Sequence, residues 1–439
     1  MPTRKRTPTR PLRNTRAAAS LRREAKPEAA RGHGGPVTRR WTEQRWTLDN
    51  VIQANGMDWD QPRSQYLSAP CGPQAAGDFA AARQRIVKYA DAAPTFEALA
   101  RRREALADAA AKAGNPVTAR DNYYIATVHW GAAQWPLDQN NAQNLMYNAR
   151  KRECYGKYVK LADHRIEEVW LPVAGKSIPA WFHLPGDYRG GRIPAVIVVP
   201  GMDNFKEMQV ALYGDRYLSR GIAVLAIDGP GQYESAVLDI HVSMEAWMQT
   251  GRACFDWLAR RREVDAERVG LSCASFGTFF GTIAAAYEPR LRAVAADKVC
   301  HEPGFHTIFQ EASPTFKMRF MYMSGYTDEG AFDRFREGLT WKGHAQKIRA
   351  PYLCLAGESD ELSPLVHTVE LMKTIRSKKR LVVYQGARHA LAYAPSTQLG
   401  PNGLIMVADW MAATLAGKSF PSERWFVKAT GEVEKAPFE

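Results

Sequence analysis

Between Arg268 and Gly281 the chain reads Arg-Val-Gly-Leu-Ser-Cys-Ala-Ser-Phe-Gly-Thr-Phe-Phe-Gly. The apolar run before the first serine fits a short buried strand, and the stretch from Phe276 onward fits a helix. No loop separates them, so the chain must turn at a corner of small residues. Ser275 sits at that corner, with Cys273 two before it and Gly277 two after. This is the strand–corner–helix setting of the G-x-S-x-G nucleophile pattern. Small flanking residues suit it, because the serine backbone is strained there and the helix passes close to the strand. Cys273 replaces the first glycine, a small-for-small exchange. The same residues also fit a buried strand that enters a helix and carries no chemistry, so the corner needs partners elsewhere in the chain.

The rest of the chain supplies a frame for it. Two alternating segments, Ile166–Pro172 and Ile178–Leu184, flank a glycine turn and predict an antiparallel hairpin. Apolar runs follow at 195–200, 223–228, 269–272, 293–296, 352–356 and 381–384. Amphipathic segments separate most of them. Continuous apolar strands alternating with helices predict a mostly parallel sheet covered on both faces, an α/β fold. Residues 164–420 form this predicted catalytic domain, with 421–439 as a C-terminal extension. An aromatic, Met-rich insertion at about 300–345 falls where a lid over the C-terminal edge of the sheet belongs.

Residues 42–163 carry helical periodicity and no strand pattern, which predicts a helical cap domain. One helix includes Phe96–Ala100 and stops at Gly114-Asn115-Pro116; an aromatic one follows Thr118; a third covers about 141–161. The aromatics of the second helix, among them Tyr124, Trp130 and Trp135, fit a helix–helix core and also a ligand wall.

Charge separates the first residues from the remainder. Residues 1–41 hold 12 Lys/Arg and 2 Asp/Glu, which is +10 of the total +13 and leaves about +3 for the rest. A tail of this composition predicts disorder and a solvated role, with no specific nucleic-acid partner. No run of about 18 apolar residues predicts a membrane span, and no charged-then-apolar leader opens the chain. Six cysteines without paired spacing read as reduced thiols, and the expected location is cytoplasmic. No ligand spacing points to a metal or another cofactor.

Ligands of open α/β sheets bind at the C-terminal ends of the strands. Three of the predicted strand ends bear what nucleophilic catalysis requires. Ser275 ends one, Asp360 follows 352–356, and His389 follows 381–384. A histidine can take the serine proton, and a carboxylate can fix its tautomer and stabilise the imidazolium. The chain order Ser, Asp, His is that of the α/β-hydrolases. Glu358 and Glu361 compete with Asp360, which also fits a helix cap near Ser363-Pro364; Ser272 competes with Ser275 but lies inside the strand. The oxyanion formed on attack needs two backbone N–H donors. Phe276 supplies one by position and Met202, in Pro200-Gly201-Met202-Asp203, the other.

With these residues in place, the chain resembles the α/β-hydrolase group that contains 2,6-dihydroxypseudooxynicotine hydrolase, the FrsA-like esterases and the fungal polyketide-shortening hydrolases. The likeness runs over about 80–420 and rests on Phe96–Asn115, Asp121–Tyr124, Val199–Glu207 and Asp228-Gly229-Pro230-Gly231-Gln232. It implies hydrolysis of a C–C bond beside a ketone carbonyl, or of an ester, in a small-molecule substrate, with no cofactor and with a homodimeric assembly. It further implies an extra acidic residue after the strand that follows the nucleophile helix. Glu311 is the nearest match and Glu302 the second. Tyr233 stands where the group usually has glycine and is expected to reshape the pocket. The aromatic lid and cap (Tyr124, Trp130, Tyr233, Phe305, Phe309) are the expected substrate-binding surface. A ligand-binding protein of low turnover is the rival reading of the same fold. A nucleic-acid role through the tail is a third.

Overall fold

A computed structural model of the chain describes residues 39–212 and 214–438. The predicted disorder of residues 1–41 falls almost wholly outside the described residues. From Arg39 the chain is helical up to Leu161. In the helix Ala92–Lys112, Phe96, Leu99, Ala100, Ala107 and Ala110 are buried at three- and four-residue spacing. It ends at Gly114, in the left-handed region at φ 75°. Pro116 then opens the next helix, where its missing N–H is harmless. That helix, Pro116–Gln134, is buried at every residue from Asn122 onward, so it forms the centre of the helical layer. The last helix, Ala142–Leu161, is capped by the Asn141 side chain, which accepts from the Asn144 N–H.

Ten strands then form one sheet: β1 Ile166–Val173, β2 Lys176–His183, β3 Ile193–Val199, β4 Ala223–Ile227, β5 Val264–Ser275, β6 Ala293–Val299, β7 Tyr352–Gly357, β8 Lys379–Tyr384, β9 Glu423–Val427 and β10 Val433–Pro437. Their order is β1-β2-β4-β3-β5-β6-β7-β8-β9-β10. β1, β2 and β4 pair antiparallel, as do β9 and β10. All other pairs are parallel, with β5 and β6 at the centre. This is the fold the apolar runs predict. The segment after 420 departs from the expectation of an extension: β9 lies parallel to β8, with Val382 opposite Trp425, and so belongs to the sheet.

Side chains alternate between two cores. Ile197 and Val199 of β3 face one cluster, while Val196 and Val198 face the other. The helices Met244–Ala259 and Phe276–Tyr287 cover the first face and Gly403–Leu415 the second. The described residues make one compact unit. Trp181, Phe205, Met208 and Tyr233 come from the sheet region yet sit in the core of the helical layer, which welds the two together. Among the described residues no helix is long and apolar enough to cross a membrane.

The insertion also departs from expectation. It holds helices Pro314–Ser324 and Glu329–Glu337 after a π-helical turn, Thr307–Glu311. Its aromatics pack inward: Phe305 and Phe320 each lie 4.5 Å from the Phe276 ring. It is therefore a third wall of the core.

Candidate active site

β5 ends on Ser275, whose φ of 54° and ψ of −133° place a non-glycine residue in the strained left-hand region. Strain of this kind persists only where neighbours enforce it. The helix Phe276–Tyr287 starts at the next residue, and Thr278 Oγ1 donates to the Ser275 carbonyl at 2.7 Å. Cys273 fits because of Gly281: a Cβ at 281 would lie only 2.7 Å from the Cys273 Sγ. The space that a glycine at 273 would leave is thus provided one helical turn later. The thiol is buried and its pKa is pushed up by desolvation, so it stays protonated.

Ser275 Oγ lies 2.9 Å from His389 Nε2, and His389 Nδ1 lies 2.9 Å from Asp360 Oδ2. A carboxylate can only accept, so Nδ1 carries the ring proton and Nε2 is left to accept from the serine hydroxyl. Burial pulls the His389 pKa down, but the charge and hydrogen bond of Asp360, with Glu361 behind it, hold it above its ordinary value. Asp360 also fulfils its alternative role, since Oδ1 accepts from the N–H groups of Leu362 and Ser363 at 2.9 and 3.0 Å. The rival carboxylates go elsewhere: Glu361 accepts from the His389 N–H and Glu358 from the Gly386 N–H. Ser272 accepts from the Tyr217 hydroxyl inside the sheet.

These groups open onto a cavity of about 140 Å³. The loop after β3 forms one wall through Gly201, Asp203 and Asn204; Asp297 and Lys298 at the end of β6 form another. Gly201 comes so near that a Cβ there would sit 2.8 Å from the Ser275 Cβ. Met202 and Phe276 flank this contact, and their side chains are buried in the core. That loop is tied down from β4: Gln232 Nε2 donates to the Pro200 carbonyl at 2.6 Å, while its Oε1 accepts from the Gly229 N–H. Lys206, also on the loop, is buried with Glu207, Asp228 and Glu234 at 2.7, 3.5 and 2.5 Å. The roof is the segment Gln61–Tyr66 of the helical layer.

Several expected site residues lie elsewhere. The side chain of Glu311 is 64% exposed, beside His306 in a separate outer cleft that also contains Arg388. The π-helical turn sends Ile308 and Phe309 into the core and so turns Glu311 outward. Glu302 is buried and accepts from the Thr307 N–H, which makes it a cap of that turn. Phe305 and Phe309 belong to the aromatic cluster around Phe276. Trp130 is wholly buried against Tyr147, and Tyr124 is buried against Tyr158. None of these four lines the cavity. Tyr233 stays outside it as well, but its hydroxyl donates to the Asp203 carbonyl and supports that wall.

Two groups in the cavity were not singled out from the sequence. The first is Asp203. Its Oδ1 is buried without a hydrogen-bond partner among the described residues, 3.9 Å from Arg63 Nη2. Burial raises its pKa; Arg63 opposes the rise and Asp60 adds to it. Arg63 is committed to Asp60 and lies between the Trp59 and Trp135 rings. The second is the pair Asp297-Lys298. The signal was present, because charge interrupts an apolar run at the C-terminal end of a strand.

The FrsA-like esterase family model matches residues 85–329, more than half of the chain. The chain belongs to this family. Among curated relatives of this FrsA-like chain, the α/β hydrolase xenA of Xenoacremonium sinensis is 28% identical over 54% of the chain and 57% of its own length. The 2,6-dihydropseudooxynicotine hydrolase of Paenarthrobacter nicotinovorans is 27% identical over 62% and 71%. The chain thus spans less than two thirds of the first of these relatives. A crystal structure of 2,6-dihydroxy-pseudo-oxynicotine hydrolase superposes with a TM-score of 0.69 at 24% identity, covering 81% of this chain and 97% of the other. That likeness is one of fold, and the fold is that of the α/β-hydrolases.

Proposed function

We propose that this FrsA-like chain is a serine hydrolase that cleaves a C–C bond beside the carbonyl of a ketone or β-diketone. The observation that carries the reading is the unbroken line from Ser275 through His389 to Asp360, opening on a cavity that Asp203 also lines. His389 takes the hydroxyl proton as Ser275 Oγ attacks the carbonyl carbon. The N–H groups of Met202 and Phe276 receive the oxyanion. Collapse breaks the C–C bond, and its electron pair moves into the leaving fragment as an enolate. That fragment needs a proton and a partner for its charge. Asp203, held above the usual carboxylate range, takes the role first expected of Glu311. The His389 imidazolium returns its proton to the spent Asp203 carboxylate; as a neutral base again it deprotonates water, which frees the acyl group, and its proton then passes back to the Ser275 oxygen. The cavity is close to the roughly 150 Å³ that accepts a benzene ring, which suits one aryl or acyl half of a mid-sized substrate.

Ester hydrolysis is the second reading, favoured by the esterase description of the family. An alkoxide leaves with the imidazolium proton and has no need of Asp203. Parallel assays of an aryl β-diketone and an aryl ester separate the two. Ser275→Ala is expected to lower both by roughly 10⁴-fold or more, and Asp203→Asn to lower diketone cleavage by about 10²-fold while sparing the ester. Equal effects of Asp203→Asn on both substrates would return the reading to an esterase. Turnover indifferent to Ser275→Ala would leave a binding protein. The reading includes a cytoplasmic location, supported by six buried free thiols, and a homodimer, to be checked by light scattering.

A further inference from the structure

We propose that Lys298 is the anion-recognising residue of the Ser275 cavity, and that the substrate carries an anionic oxygen close to the scissile carbonyl. The inference rests on Ser275 being the nucleophile, as proposed above, and names the substrate class of that site.

The ladder between β5 and β6 supports it. Ala274 lies opposite Asp297, but Ser275 lies opposite Val299, so Lys298 is an extra residue bulged out of the pairing. Its φ of 51° is again in the left-handed region, at a residue with a long side chain. Two strained non-glycine residues therefore stand side by side, one of them the serine. Neighbouring residues of a regular strand point to opposite faces. The bulge removes that alternation, so Asp297 and Lys298 line one cavity with Ser275 and His389 and form an ion pair there. The lysine side chain is only 16% exposed.

A half-buried ammonium near the catalytic base opposes the imidazolium that forms during attack. Asp297 balances that charge in the free protein, and an anionic substrate oxygen adds to the balance once bound. An ammonium has three donors, so it can hold a carboxylate neighbour and a ligand oxygen together. The ion pair with Asp297 aims the group. A carboxylate, phenolate or enolate oxygen then completes the site. In C–C cleavage the same cation faces the charge that develops on the leaving enolate.

The test uses the full chain and a fluorophosphonate probe that labels the nucleophilic serine. Protection from labelling is compared for phenylacetate and its neutral isostere phenylacetamide at pH 7.5. A charge-assisted contact is worth roughly 1.5–3 kcal/mol, so phenylacetate is expected to protect wild type at a concentration at least about tenfold lower. Lys298→Met should abolish that preference and Lys298→Arg retain most of it. The labelling rate also follows the protonation of His389, which faces Asp360, Glu361 and Lys298. Loss of the lysine charge should move the acid limb of labelling to higher pH, a shift that a merely structural lysine does not produce. Equal protection by acid and amide in wild type overturns the assignment even if Lys298→Met does not fold, and so does an undiminished preference in Lys298→Met. Absence of labelling at Ser275 overturns the nucleophile reading itself, a distinct result.

Discussion

Alanine at position 201 should disable the proposed hydrolase without unfolding it. The added Cβ would lie 2.8 Å from the Ser275 Cβ and 3.2 Å from the Ala274 carbonyl oxygen. Ordinary carbon contact begins near 3.4 Å, so the loop and the serine must part by about 0.6 Å. Neither yields freely. The serine is fixed in its strained conformation, and the loop is held by Gln232 through the Pro200 carbonyl. A shift of about 1 Å in reacting groups lowers rates on the order of 10²-fold. The expected result for Gly201→Ala is therefore a kcat reduced roughly 10- to 10²-fold, with overpacking costing about 1–3 kcal/mol of stability. Steady-state kinetics on any Ser275-dependent substrate, with a melting curve beside them, give both numbers. A folded variant with kcat within twofold of wild type would refute the reasoning, and the role of Met202 would fall with it.

Other outcomes follow from the same geometry. His389 acts only when neutral and its pKa lies above the ordinary value of about 6.5, so kcat/KM should rise with pH through a midpoint above 6.5; Asp360→Asn should lower that midpoint and cut kcat by roughly 10⁴-fold, and a pH–rate profile with its midpoint below 6.5 in wild type contradicts this. Lys206→Met leaves Glu207 and Asp228 buried without their ion-pair partner and Glu234 with Arg152 alone; a loss of about 3–5 kcal/mol is expected in urea unfolding, and a loss under 1 kcal/mol argues that the cluster is hydrated. Phe309→Ala should remove about 3–5 kcal/mol of stability with little change in KM, because the ring packs on Phe276 and Phe332 and not on substrate; a KM raised tenfold would restore Phe309 to the binding surface. Glu311→Gln should leave kcat within about twofold, since the side chain faces solvent; a large loss measured on the diketone would return the acid role to it.

What the sequence discloses follows from how local each determinant is. Ser275, Asp360 and His389 are readable because Ser275 ends an apolar run and the other two stand in the short loops that follow such runs. The helical layer is readable from the spacing of Phe96, Leu99 and Ala107. β9 and β10 were not, because their half-exposed edge positions interleave Arg424, Glu434 and Lys435 with the aromatics. Glu311 misled because a π-helical turn shifts the facing of residues by less than a turn, which no periodicity reveals. Trp130 and Tyr124 show that an aromatic helix face indicates burial without indicating whether protein or ligand covers it. Lys298 depends on a bulge, an event of pairing between strands that neither strand records alone.

The cavity roof has a consequence for how such a chain can change. Ser275, His389 and Asp203 stand at or just after the ends of sheet strands, while the surface above them is lent by residues 61–66, far earlier in the chain. Substitutions there can refit the enclosure to a new compound and leave the proton-transfer machinery untouched. Diversity among descendants of this scaffold should therefore concentrate in the short helical turns around 60–66, where selectivity can drift without reinventing the reaction.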